Sequence, residues 1–418
     1  MLERFTEAMD GRMSRPLQYY ADICVRCGAC ADACHFYLAS RDPAHIPANR
    51  MQLVKKAMRS KNGSKGKLSN WYRDFEAADP ALAGQLRKAL WDCTGCRRCA
   101  VYCPFDLDTG LLVSTARYAM LKEELGPTII GEIGDAEVSK GEIIEFVKEF
   151  YVDQVKELEA RLQEEFHPGL RIPVEKQGAR VLYVPLVGEH AIVPAAKIFH
   201  AAGEDWTLSL FTATNHSYFV GDAAKAKAAA NWIVQEALRL GVQTIVYPEC
   251  GHASRTLLNY FDAWFGTEIE GLEKVNIVPL THEYLRAGRI KVQPELFDTP
   301  LTYHDSCSLG RSSGIYEEPR EMIRELSTDY REMTPNREYN WCCGGGGGLI
   351  ATAEDMFDLR MQGGLPKVKQ IRDTGARWVV TACENCKAQL DDLNKHYELD
   401  IEIKGVIDLV ADALIVDR

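Results

Sequence analysis

The chain has 418 residues, 46% of them hydrophobic and 26% charged, an ordinary globular composition that excludes a collagen-like or largely disordered protein. Lys and Arg number 49 against 60 Asp and Glu, and the net charge of −11 argues against nucleic-acid binding, which needs a basic footprint. The sequence has no apolar run of about 18–20 residues and no apolar signal segment after Met1, so a chain without a membrane span in a reducing cytoplasm is expected. Fourteen cysteines in tight groups then read as metal ligands rather than disulfides.

Residues 1–125 hold eight of those cysteines on segments of mostly helical pattern. Cys24, Cys27, Cys30 and Cys34 repeat the spacing of Cys93, Cys96, Cys99 and Cys103, which Pro104 follows. This is the bacterial [4Fe–4S] run, in which three closely spaced thiols wrap one cluster and the fourth ligates the other. One cluster is therefore expected on Cys24, Cys27, Cys30 and Cys103, and a second on Cys93, Cys96, Cys99 and Cys34. His35 replaces the proline in the first run, a local irregularity that leaves the ligand count intact. Structural zinc normally uses two Cys-x2-Cys pairs, a poorer match. Between the runs, Lys55 to Lys67 carries six Lys or Arg and no acid. It reads as a solvated loop, with a docking patch for an acidic redox partner as the other reading.

Residues 126–178 read as a helical connector. Ile143, Val147, Phe150, Tyr151, Val155, Leu158, Leu162 and Phe166 recur at helical spacing, and residues 132–165 hold eleven acids against four bases. Packing between domains is its expected role. From about 179, short β-rich runs at 181–185, 242–247, 301–303 and 378–381 alternate with helical patterns at 223–240 and 353–374. Such alternation implies a parallel or mixed sheet covered by helices. The stretch from Gly241 to His252 matches that from Gly375 to Cys386, each a strand leaving a glycine turn and ending in a polar loop. Two related α/β halves, 179–296 and 297–418, are therefore expected. The expected fold is multidomain, α+β and α/β, with an N-terminal helical two-cluster ferredoxin domain.

The last half carries Cys307, then Cys342-Cys343-Gly344, then Cys383 and Cys386. Adjacent cysteines diverge, and the glycine run 344–348 lets backbone approach a bulky inorganic object. A phosphate loop would continue Gly-Lys-Ser/Thr, and Leu349 follows instead. A vicinal disulfide between Cys342 and Cys343 is the plain alternative.

These cysteines, with Trp341-Cys342-Cys343-Gly344 and the upstream runs, resemble the CCG-domain signature of heterodisulfide reductase catalytic subunits. Across nearly its whole length the chain resembles their D-type subunit. It is closer still to the K-type subunit of sulfite-reductase-associated (Dsr) membrane complexes. The resemblance implies two [4Fe–4S] cubane clusters and a non-cubane [4Fe–4S] cluster on Cys307, Cys342, Cys343, Cys383 and Cys386. It further implies an oxidoreductase subunit acting on a thiol/disulfide or trisulfide couple within a complex. Implied partners are an integral-membrane cytochrome b or quinone-reactive subunit, a multihaem cytochrome c or ferredoxin-like subunit, and a small thiol-carrying protein. Attachment to the inner face of the cell membrane would run through those subunits. The other family that joins such domains is the iron–sulfur subunits of flavin-dependent glycolate, lactate or glycerol-3-phosphate dehydrogenases.

The first half departs from the pattern. Aligning Gly241 with Gly375 sets Glu249 opposite Cys383 and His252 opposite Cys386, and leaves Cys250 one position off. Asn215-His216 falls near the place of the cysteine pair. A five-thiolate cluster cannot form there. Glu249, Cys250 and His252 are candidate catalytic residues for thiol exchange or proton delivery, with a decayed scaffold as the competing reading.

Overall fold

The computed structural model describes residues 2–59, 80–139, 143–186 and 188–416. Most of the basic stretch after Arg59 thus lies outside the described residues; Lys55 to Arg59 complete a helix. Packing cuts the chain differently from the four consecutive segments expected. One unit comprises Met1–Ile133, His216–Ala223 and Trp341–Lys369, and the other Gly134–Asn215, Ala224–Asn340 and Gln370–Arg418.

The first unit is helical among the described residues. Helices Leu2–Asp10, Arg15–Ile23, Pro47–Arg59, Pro80–Trp91 and Thr109–Lys122 surround one core. Phe5, Met9, Leu17, Met51, Leu86 and Leu112 fill it. The N-terminal helix is thus core rather than a free tail. Asp108 starts the last of these helices by accepting the Leu111 N–H at 3.1 Å, which satisfies an orphan donor of its first turn.

The second unit holds two parallel sheets. Strands β1 (Val181–Tyr183), β2 (Trp206–Leu208), β3 (Thr244–Tyr247) and β4 (Glu273–Asn276) lie in the order β2-β1-β3-β4. Strands β5 (Leu301–His304), β6 (Trp378–Thr381) and β7 (Glu402–Gly405) form the second sheet in that order. Val181, Tyr183 and Val246 join a core with Leu301, Tyr303 and Val380 of the second sheet. Leu182, Ile245 and Tyr247 point the other way, onto helix Ala223–Leu240. A sheet covered on both faces needs apolar residues at successive positions, and β1 and β3 supply them.

The helix expected in the connector is present as Ile143–Glu165. It packs into this unit's core through Val155, Leu158 and Leu162. β4 and β7 share one burial pattern, exposed at the start and buried at the end, and each runs straight into a helix, Ile277–Arg286 and Val406–Asp412.

Candidate metal centres

The two cysteine runs of the first unit fold alike. Arg26 and Gly28 flank Cys27 with φ of 56° and 85°, and Gly95 and Arg97 flank Cys96 with φ of 63° each. Left-handed backbone on both sides of the middle cysteine curls each loop. Such a curl brings three thiols at this spacing toward one point. Two arginines accept a conformation that usually favours glycine.

The fourth cysteine of each run neighbours the other run. Burial raises the Cys30 thiol, with Cys24 and Cys103 among its charged neighbours. Cys99 is raised well above its ordinary value by burial, with Cys96, Cys93 and Cys34 close by. Cys34, Cys93, Cys96 and Cys99 line one cavity together with Arg50. The Arg50 guanidinium lies 3.6 Å from Cys34 Sγ and donates to the Asp92 carbonyl at 2.6 Å. Burial opposes its charge, and the Cys34 and Cys93 sulfurs more than offset that, keeping it protonated. Four thiols around one cavity with a buried cation suit a net-anionic iron–sulfur cluster better than a neutral core.

Cys342 and Cys343 are buried in the same unit, and all fourteen cysteines are thiols, so no vicinal disulfide forms. Cys342 Sγ is 3.5 Å from the Thr94 hydroxyl, which is 3.2 Å from His35 Nε2. The ligand atoms of His35, Cys96 and Cys342 all lie within 4.8 Å of one another. The glycine run also packs closely against protein backbone. A Cβ on Gly347 would stand 2.8 Å from the Thr94 carbonyl oxygen and 3.1 Å from that of Cys93. The backbone approached here is that of the cubane-type loop. Arg117 fastens the approach, donating to the carbonyls of Gly347 and Leu90 at 2.9 and 3.0 Å and also to that of Cys93.

In the second unit Cys307 follows β5, while Cys383 and Cys386 follow β6 at the start of helix Glu384–Tyr397. The loop after β3 meets the loop after β6. Glu384 N–H donates to the Glu249 carbonyl at 2.9 Å, the His252 ring contacts Asn385 Nδ2 at 3.1–3.2 Å, and a Cβ on Gly251 would lie 3.1 Å from Cys383 Sγ.

Each candidate catalytic residue of that loop is buried. Burial pushes the Cys250 thiol up to about 12, with Cys383 adding to the rise. Burial raises Glu249 to about 8, against the pull of Lys387. The Glu249 carboxyl accepts the Val406 and Ile407 N–H groups at 2.9 and 3.2 Å, with Lys387 at 3.7 Å. It holds the start of a helix rather than facing an open cavity. Asn215 is likewise a structural residue, donating to the Ala226 carbonyl at 2.8 Å.

Three residues carry no motif and were not legible in advance: Thr94, Arg117 and His304. His304 ends β5, and its ring lies within 4.8 Å of Cys386 Sγ. Behind it, the fully buried Arg320 grips both oxygens of Asp305 at 2.7 and 2.8 Å and both of Glu332. This fixes the turn that leads to Cys307. Only its position three residues before Cys307 could have flagged His304.

Comparison with known proteins agrees with these features. A 4Fe-4S dicluster domain matches residues 20–107, and a cysteine-rich (CCG) domain matches residues 301–391. The chain is 26% identical to the Hdr-like menaquinol oxidoreductase iron-sulfur subunit 2 of Archaeoglobus fulgidus, over 99% of this chain and 83% of that protein. It is 27% identical to the D-type subunit of the dihydromethanophenazine:CoB–CoM heterodisulfide reductase of Methanosarcina acetivorans, over 94% of each. It is 23% identical to the EtfAB:quinone oxidoreductase of Syntrophomonas wolfei, over 92% of this chain and 56% of that one. With both domains in one chain and similarity along its length, this is an iron–sulfur protein related to the D-type subunits of heterodisulfide reductase and to the Hdr-like iron–sulfur subunits.

Proposed function

We propose that the chain is the electron-carrying and catalytic subunit of an Hdr-like oxidoreductase complex, coupling a membrane partner to a thiol/disulfide or trisulfide couple. The observation that carries this reading is the cavity of Cys34, Cys93, Cys96 and Cys99, with the CCG cysteine Cys342 set beside Cys96. Cys24, Cys27, Cys30 and Cys103 would hold the other cubane. Cys307, Cys342, Cys343, Cys383 and Cys386 would hold the non-cubane cluster, a set that rests on the sequence pattern and the relatives. These clusters would supply one-electron steps, which lets the two-electron cleavage of an S–S bond be divided. Among the described residues no helix is long and apolar enough to cross a membrane, so attachment would run through a quinone- or cytochrome-type subunit on the cytoplasmic face.

In this reading Cys250 is not an exchange nucleophile, because the attacking species is a thiolate and burial keeps this thiol protonated. Glu249 and His252 position the loop of Cys383 and Cys386. The likeness to an EtfAB:quinone oxidoreductase favours a second reading, in which a flavoprotein delivers the electrons and no sulfur bond is cleaved.

One experiment separates the two. Anaerobically purified chain, reduced and then mixed with a disulfide or trisulfide, is expected to be reoxidised by it, and Cys386→Ser to lose that reaction. Reoxidation by a flavoprotein or quinone partner alone, with disulfides inert, would establish the second reading. Zinc in place of iron and sulfide would overturn both.

A further inference from the structure

We infer that the Ser306 hydroxyl donates a hydrogen bond to a sulfur of the iron–sulfur group that Cys307, Cys383 and Cys386 help to hold, and so raises the potential of that group. The inference rests on the iron–sulfur reading above but not on the identity of the substrate.

A hydroxyl taken out of water has to find a partner in the protein or in what the protein binds. Ser306 is 1% exposed, and its Oγ has no hydrogen-bond partner among the described residues. Of the buried hydroxyls in that state, it alone adjoins a cysteine in the chain. It faces a second cysteine in space. A Cβ on Gly251 would stand 3.4 Å from Ser306 Oγ and 3.1 Å from Cys383 Sγ. The hydroxyl and the thiol therefore border the same glycine, where a side chain would crowd both.

The backbone on either side of the hydroxyl is pinned. The Ser306 carbonyl accepts the Gly310 N–H at 2.9 Å. Asp305, just before it, is gripped through both carboxylate oxygens by Arg320 and accepts the Arg337 N–H at 2.8 Å. The Asp305 carbonyl accepts from Asn340 Nδ2 at 2.6 Å. Only rotation about the Cα–Cβ bond is left to aim the Ser306 hydroxyl. The turn that presents Cys307 thus presents this O–H with it, toward the loop of Cys383.

The donor and acceptor count agrees. A cysteine bound to iron is a thiolate, and thiolate and sulfide only accept. Ser306 carries a proton that no other group claims. A hydrogen bond to a ligand sulfur stabilises the added electron, which favours the reduced state and raises the potential.

The test uses the full chain prepared anaerobically, unaltered and as Ser306→Ala. Alanine keeps the Cβ and removes only the hydroxyl, so iron and sulfide per chain are expected to stay the same. Spectroscopic redox titration is expected to show a lower midpoint for the CCG cluster in Ser306→Ala, with both cubane midpoints unchanged. Loss of a hydrogen bond to a charged acceptor makes reduction about tenfold less favourable, or about 59 mV for a one-electron couple. Electron–nuclear double resonance on the paramagnetic state of that cluster in the unaltered chain is expected to show a coupled proton that exchanges in D2O. The same proton should be missing from Ser306→Ala, a loss that a residue merely filling space would not produce. Full iron with an unchanged midpoint in Ser306→Ala would overturn the inference. So would the absence of any exchangeable proton at the cluster of the unaltered chain, a measurement that needs no variant to fold. Because neither readout uses a disulfide, a chain that passes both but leaves disulfides inert would sink the proposed reaction and leave this hydrogen bond standing.

Discussion

Cys250 is a buried thiol next to Cys383, and in the reading proposed above it does not react. It lies in an apolar cluster with Ala253 and Leu257, accepts the Ala253 N–H at 3.4 Å, and is only 3% exposed. A buried thiol of this kind behaves as a small hydrophobe. Its neighbour His252 has a different task, because its ring meets Asn385, midway between Cys383 and Cys386. Two substitutions should therefore diverge. Cys250→Ala is expected to keep full iron content and turnover within about twofold, as a volume change in an apolar site that removes no ligand. His252→Ala is expected to lose iron from the Cys383 and Cys386 site, because Asn385 loses its partner. Iron and sulfide per chain, measured beside turnover, separate them. A Cys250→Ala protein with full iron and little activity would return the thiol to the mechanism.

At the scale of elements, the strands that sequence revealed, β1, β3, β5 and β6, are buried along nearly their whole length, whereas β2, equally buried, has only three residues and gave no run. β3 and β6 follow a glycine turn and carry unbroken β-branched or aromatic runs, Ile245-Val246-Tyr247 and Trp378-Val379-Val380. β4 and β7 gave no β-rich run because Glu273, Lys274, Glu402 and Lys404 interrupt them, and both lie at sheet edges. Charge on an edge strand discourages pairing with another chain, so the residues that hide these strands also protect them. The eight ferredoxin-type cysteines were legible because their spacing is local; the Thr94–Cys342 contact spans 248 residues of chain and has no local signal.

β2 is anchored by a group that spacing alone could not single out. Glu236, on helix Ala223–Leu240, accepts the Leu210 N–H at 2.9 Å and the Ser209 hydroxyl just beyond the strand. Burial lifts this acid to about 6, although both donors pull it down. Because the folded value lies above the unfolded one, its contribution is full below about 4.5 and is lost as pH rises through about 6. The whole loss is about 2 kcal/mol. Glu236→Gln stays neutral and keeps an acceptor, so its stability relative to the parent should rise between pH 4.5 and 7.5. Denaturant midpoints across that range give the comparison. Parallel pH curves for the two proteins would mean that folding leaves the Glu236 carboxyl at its unfolded value.

At the scale of the molecule, the first unit is not finished when its own stretch of chain ends. Each α/β half lends it a segment, His216–Ala223 from one and Trp341–Lys369 from the other. The loans are packed tightly. Val220 joins Trp91 and Ile130, and a Cβ on Gly221 would stand 2.5 Å from the Ser114 carbonyl oxygen. Leu349 is buried against Cys34 and Phe36, and Gly363 accepts from His35, the residue after Cys34. Read from sequence, residues 1–125 are a helical ferredoxin-like domain with two clusters. A fragment ending at 125 would keep the loop of Cys24, Cys27 and Cys30 with Cys103, whose face is already open. It would strip Leu349, Gly347 and Gly363 from around Cys34, Cys93 and Cys96, admitting solvent and oxygen to that cavity. The fragment is therefore expected to retain the first cluster and lose the second within a brief exposure to air, halving its iron, while the full chain keeps both over the same interval. Retention of both clusters by the fragment over the same interval would show that the borrowed segments do not protect the site, and that the N-terminal stretch folds around its two clusters by itself.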